Sequence, residues 1–136
     1  MDYPKPQMIS RLAEAAKEAR RNAHAPYSNF QVGAALLDQE GRIFAGCNVE
    51  NASYGLSICA ERHAIGAAVA GGALGVEAMV ILSESSPPAS PCGACRQVMA
   101  EFGDFPVLLI NPEGEEVRSS VAKLLPMAFT FEDGKS

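Results

Sequence analysis

Residues 64–83, AIGAAVAGGALGVEAMVILS, carry a single charge in twenty residues, and how they are read decides the fold. As one continuous helix they would have the length of a membrane span, which takes about 20 apolar residues. The composition argues against it. Gly71, Gly72 and Gly75 interrupt the stretch, Glu77 lies inside it, and its first half is mostly Ala and Gly, which transfer weakly into lipid. It therefore reads as two buried elements. The first is an Ala-rich helix from Ile58 to Ala70, closed by two glycines. The second is a strand from Glu77 to Ser83, whose near-continuous apolar run suits a strand covered on both faces.

Toward the N-terminus, FQVGAALLD (30–38), QEGR and IFAGCNVE (43–50) read as a hairpin with Gly41 in its turn. Before it, residues 6–22 set Ile9, Leu12, Ala13, Ala16 and Ala19 at helical spacing, with Arg11, Glu14, Lys17, Glu18 and Arg21 elsewhere, which predicts an amphipathic helix. Toward the C-terminus, SSPPASP is a loop, Cys92 to Phe102 a second helix entered through Pro91, and PVLLIN (106–111) another buried strand. A short segment around Val117 and a helical turn at Val121 to Leu125 follow. Helix, two strands, then helices alternating with strands predict an α/β fold: a three-layer α/β/α sandwich on one mixed, mostly five-stranded sheet, formed as a single domain over residues 1–136.

The composition, 48% apolar and 20% charged, is that of an ordinary globular chain. A net charge of −5 and the absence of a Lys/Arg run speak against a nucleic-acid partner, because binding a phosphate backbone requires basic side chains to neutralise it. The opening MDYPKPQMIS lacks the basic segment and apolar stretch of an export signal, so a cytoplasmic, reducing setting is expected, with neither membrane nor disulfide framework.

Three of the four cysteines fall in CAER (59–62) and PCGAC (91–95). Cys92 and Cys95 are three apart at a predicted helix start, where one face can grip one ion and the helix dipole favours the thiolate. Cys59 begins the other central helix. Two such helix starts at one sheet edge would bring three thiolates together and leave a fourth position open, as in catalytic zinc sites rather than closed structural ones. Arg62 could then donate hydrogen bonds to ligand sulfurs, and Glu61 could accept a proton from a bound water. Other readings stay open: a thioredoxin-like Cys92–Cys95 redox pair, a closed structural site with Cys47 as fourth ligand, or four core cysteines. Taken singly, Arg62 and Glu61 read more readily as a solvated helix arginine and a first-turn surface acid; taken together with the cysteine spacing they do not.

PYSNFQVGAALL, GCNVENASYG, CAERHA, PCGACRQV and LLPMAF together resemble, in order and spacing, the small homotetrameric cytidine deaminases, over about residues 26–131. That resemblance implies one Zn²⁺ per chain on Cys59, Cys92 and Cys95, and hydrolytic deamination of cytidine and 2′-deoxycytidine by zinc-activated water, with Glu61 as proton shuttle. It further implies that Asn48 and Glu50 hold the ribose hydroxyls, that Phe30 walls the base, and that the Ala60 N–H meets the pyrimidine carbonyl. Neighbouring subunits of the tetramer would complete each site through Ala52, Tyr54 and Phe129. His63 stands where such proteins commonly carry threonine and reads as a packing variation; His24 receives no role. Within the same class the runner-up is a relative acting on another aminopyrimidine, such as a nucleoside antibiotic.

Overall fold

Residues 64–83 do divide in two. The computed structural model describes residues 1–131, and in it helix α2, Ala60–Ala70, ends at Gly71, whereas strand β3 runs Val76–Leu82. Gly72 makes the break with φ +87°, a conformation that a side chain would disfavour. No described helix is long and apolar enough to cross a membrane.

Before these elements come α1 (Pro6–Arg21), β1 (Gly33–Asp38) and β2 (Ile43–Cys47); after them come α3 (Gly93–Ala100), β4 (Pro106–Ile110), β5 (Glu116–Ser120) and α4 (Val121–Leu124). The five strands form one sheet in the order β2-β1-β3-β4-β5, in which only β3 and β4 pair in parallel. Side chains alternate across β3, so the two faces separate cleanly. Val80 and Leu82 join Leu12 and Ala16 of α1 on one face. Met79 and Ile81 join Ala60, Ala64, Ile65 and Ala68 of α2 and Met99 of α3 on the other. The expected three-layer sandwich with helices on both faces of a mixed five-stranded sheet is the observed one.

Several boundaries differ from the pattern-based ones, each for a local reason. Strand β1 begins at Gly33 rather than Phe30, because Asn29 turns the chain at φ 58° and residues 30–32 are held by the Asn48 side chain. Helix α2 begins at Ala60 rather than Ile58, since Ile58 pairs with Val49 as an isolated bridge and Cys59 is extended at ψ 157°. Cys92 caps α3 instead of entering it, and that helix stops at Ala100, with Glu101 and Phe102 in the turn beyond. The hairpin turn rests on more than Gly41. Buried Asp38 accepts from the Arg42 backbone N–H at 2.7 Å and from Arg42 Nε at 2.8 Å.

The topology brings the two cysteine stretches together. Both β2 and β3 run antiparallel to the strand between them, β1, so they point the same way, and the loops leaving their C-terminal ends emerge at one sheet edge. Those loops lead into α2 and α3, which lie on the same face. Gly46 lets α2 press onto β2. A Cβ there would stand 2.5 Å from the Ala64 N and 2.8 Å from the Ala60 O.

Candidate metal and active site

Cys59 and Cys92 are the N-cap residues of α2 and α3. Cys92 Sγ does what a serine oxygen usually does at such a position, accepting the N–H of Cys95 at 3.4 Å. That bond joins cap and third helical residue, so the two sulfurs of Cys92 and Cys95 lie 3.3 Å apart, and Cys59 Sγ is 3.9 Å from Cys92 Sγ. All three sulfurs fall within 4.8 Å of one another. Thiolates bound tetrahedrally to zinc at roughly 2.3 Å stand about 3.8 Å apart, so the donor set and its spacing fit that ion.

The electrostatics suit a cation as well. Hydrogen bonding from Cys95, and then from Arg62 and Cys92, pushes the Cys59 thiol down to about 5, whereas sharing that proton with Cys59 drives the Cys95 thiol far up. The cluster therefore gives up a first proton readily. The Arg62 guanidinium faces it, held charged by Cys59 and Cys95, with Nη2 donating to the Ser57 carbonyl at 3.4 Å and Nε buried without a hydrogen-bond partner. Glu61 is 5% exposed in the first turn of α2, and burial, with the Cys59 charge adding to it, raises its carboxyl above the ordinary range. A carboxylate so placed is a stronger base than a solvated one.

Beside the cluster lies a cavity of about 220 Å³ whose lining includes Cys59, Cys92, Glu61, Ala60, Phe30 and Asn48. Six of the residues singled out in the sequence thus meet in one place, and Cys95 joins through the sulfurs. Ala60 is the first residue of α2, where an N–H has no intrahelical acceptor. Asn48 braces the wall: its Oδ1 accepts from the Val32 N–H at 2.8 Å and its Nδ2 donates to the Phe30 carbonyl at 2.8 Å.

Glu50, Ala52, Tyr54 and Phe129 do not line this cavity. Glu50 Oε1 accepts from the backbone N–H groups of Tyr27 at 3.0 Å and Ser28 at 3.2 Å, and Oε2 accepts from Ser28 Oγ; the Ser28 bond is the chief reason its carboxyl sits below the ordinary range. Glu50 and Tyr54, with Tyr27, Ser28 and Ser57, line a shallow groove of about 410 Å³. Tyr54 is 76% exposed and Phe129 70%, the latter with its carbonyl accepting from Gln97 Nε2 at 3.0 Å.

Cys47 stands outside the sulfur cluster, and burial raises its thiol. Its carbonyl is 2.8 Å from His63 Nδ1, which ties β2 to α2. Cys47→Ser is therefore expected to keep metal and activity at parental levels; loss of one metal equivalent on elemental analysis would restore the closed-site reading. A Cys92–Cys95 redox pair standing by itself is equally ill-suited, with a third sulfur and a buried carboxylate beside it.

Two features were missed by pattern reading. Arg96 clamps the cavity rim, with Nε on the Pro91 carbonyl at 2.9 Å, Nη1 on the Leu124 carbonyl at 2.6 Å and Nη2 on Ser90 Oγ at 2.7 Å. It sits inside PCGACRQV, but a lone helix arginine gives no sign of three such partners. Ser83, at the end of β3, also lines the cavity. In the sequence it is only the last residue of an apolar run.

The family model described as the cytidine and deoxycytidylate deaminase zinc-binding region matches residues 6–110. A protein of Sporosarcina psychrophila named cytidine deaminase is 48% identical over 127 residues, 92% of this chain and 93% of its own. The 1.6 Å crystal structure of cytidine deaminase from Burkholderia pseudomallei is 52% identical, covers 88% of this chain and 98% of its own, and superposes with a TM-score of 0.85. A Bacillus cereus protein named blasticidin-S deaminase is more distant, 29% identical over 111 residues, 76% of this chain and 79% of its own.

Proposed function

Since this chain belongs to the cytidine and deoxycytidylate deaminase family, we propose that it hydrolyses cytidine and 2′-deoxycytidine to uridine and 2′-deoxyuridine plus ammonia, acting as one catalytic domain in pyrimidine salvage. One observation carries the reading: a buried carboxylate and a cluster of three sulfurs meet at a single ring-sized cavity. Cys59, Cys92 and Cys95 hold the Zn²⁺, and Arg62 tempers the charge of the sulfurs. When bound, the ion supplies Lewis acidity that makes a water nucleophilic at neutral pH.

The rest of the work belongs to the chain. Glu61 takes the proton that water gives up as its oxygen bonds to C4, and passes it to ring N3, leaving C4 tetrahedral with both oxygen and amine. A second proton moves through Glu61 from the new hydroxyl to the amine, the C4–N bond breaks, and ammonia departs as the carbonyl forms. Phe30 and Val32 hold the ring flat against this carboxylate, and the Ala60 N–H meets the C2 carbonyl. Holding the reactants in register removes much of the entropy that a reaction in solution must give up.

Asn48 and Glu50 bind the ribose. Both are already bonded within the chain, yet Asn48 keeps one N–H, and Glu50 Oε2, which accepts only from Ser28 Oγ, keeps a further lone pair. A carboxylate there favours a neutral sugar over a phosphate.

The cavity, about 220 Å³, is smaller than the roughly 300–1,000 Å³ usual for small-molecule sites. It has room for the base and lacks walls for the whole nucleoside. Tyr54, Leu56, Met127 and Phe129 expose apolar surface nearby in the chain or at its end. A homotetramer in which Ala52, Tyr54 and Phe129 close a neighbour's site accounts for both facts. Free thiols of this kind suit the reducing cytoplasm.

The antibiotic-directed alternative draws on a more distant relative, 29% against 48% identical. Mixing the purified protein with cytidine should give the ultraviolet change of uridine formation with equimolar ammonia, and one zinc per chain. No ammonia from cytidine or 2′-deoxycytidine, with zinc bound, would defeat the proposal.

A further inference from the structure

Ser83 follows Ile81 in the alternation along β3, so it looks to the face that carries α2 and α3. Its backbone N–H donates to the Ile110 carbonyl at 3.2 Å, continuing the pairing of β3 with β4 and fixing that direction. Ser83 is one of the residues lining the cavity that Cys59, Cys92 and Glu61 also line. Although Ser83 is only 1% exposed, its Oγ has no hydrogen-bond partner among the described residues. Arg62 Nε shares that condition, but its guanidinium faces the sulfur cluster and has Nη2 on the Ser57 carbonyl. Nothing in the described chain accounts for Ser83.

The other polar side chains of the cavity already have partners or an assigned role. Asn48 holds Phe30 and Val32, Ser90 accepts from Arg96, and Cys59 and Cys92 belong to the sulfur cluster. Glu61 moves the protons. A buried hydroxyl left unpaired destabilises the fold, and an alanine there would remove the cost. We infer that Ser83 Oγ is a substrate contact of this pocket, whose hydrogen bond forms only when an aminopyrimidine ring fills the cavity and presents its polar edge. A hydroxyl both donates and accepts, so it can serve the amine of the substrate and the ring nitrogen beside it. The inference rests on the deaminase reading and adds a specificity group to it.

Ser83→Ala and Ser83→Cys test it, the second being close in size but a poor hydrogen-bonding group. Steady-state kinetics on cytidine should show kcat/KM lowered about 10-fold in both, the effect of one missing hydrogen bond to a desolvated group. Zinc should stay at one per chain, and the midpoint of thermal unfolding should be equal to or above that of the parent. A role in holding the fold would lower that midpoint or the zinc content, and either result overturns the inference. So does a parental kcat/KM in both variants. If the parent itself releases no ammonia from cytidine, the deaminase reading falls and takes this contact with it; an active parent with indifferent Ser83 variants removes the contact only.

Discussion

Glu61→Gln is expected to lower kcat on cytidine by at least about 10²- to 10⁴-fold, the range for losing a general acid–base group, or roughly 2.7–5.5 kcal/mol of barrier. Glutamine keeps the shape of the side chain and its place in the first turn of α2. It removes the acceptor on which both proton movements depend. The sulfur cluster is untouched, so zinc should remain at one per chain and the fold should hold. Burial makes this carboxyl reluctant to ionise. An uncharged amide relieves that cost, so the variant should unfold at the same temperature as the parent or a higher one. Turnover at the parental rate with zinc retained would show that another group carries the protons.

The second large effect is expected at Cys95. Its side chain is wholly buried at the third position of α3 and packs among Cys59, Cys92 and Glu61. A serine hydroxyl stays protonated where a thiol becomes a ligand, so Cys95→Ser leaves two sulfurs where the site needs three. Zinc in the purified variant should fall well below one per chain, and deamination should fall to background. Stability should fall too. A ligand bound only by the folded state contributes about 4 kcal/mol at 1,000 times its dissociation constant. Chelation of the parent should reproduce both losses, and added zinc should restore the parent but not the variant. Full zinc and activity in Cys95→Ser would remove this residue from the ligand set.

Much of the molecule was readable from local pattern. The glycines of residues 64–83 divide a membrane-length stretch into α2 and β3 because two adjacent glycines, one at φ +87°, end the helix. The Cys92–Cys95 spacing sets two sulfurs on one helix start because that distance lies within a single turn. Boundaries were less readable. Cys59 and Cys92 turned out to be caps, and residues 30–32 stand outside β1 because Asn48, sixteen or more residues along the chain, holds their backbone groups.

What the order of residues determined by itself was therefore everything that depends on near neighbours: the periodicity of the elements, the layer order, the paired cysteines, and the motifs that resemble one enzyme family. Tertiary structure decided whether Cys47 joins the three as a fourth ligand. It does not, because β2 and β3 carry the other three to the same edge of the sheet, whereas Cys47 is the last residue of β2, beneath α2. It also decided that Glu50 is bonded to the turn at Tyr27 and Ser28, and that Ser83 is left with an unpaired hydroxyl in the cavity. These outcomes hang on contacts between segments distant in the chain, and no local spacing encodes the direction in which two strands run.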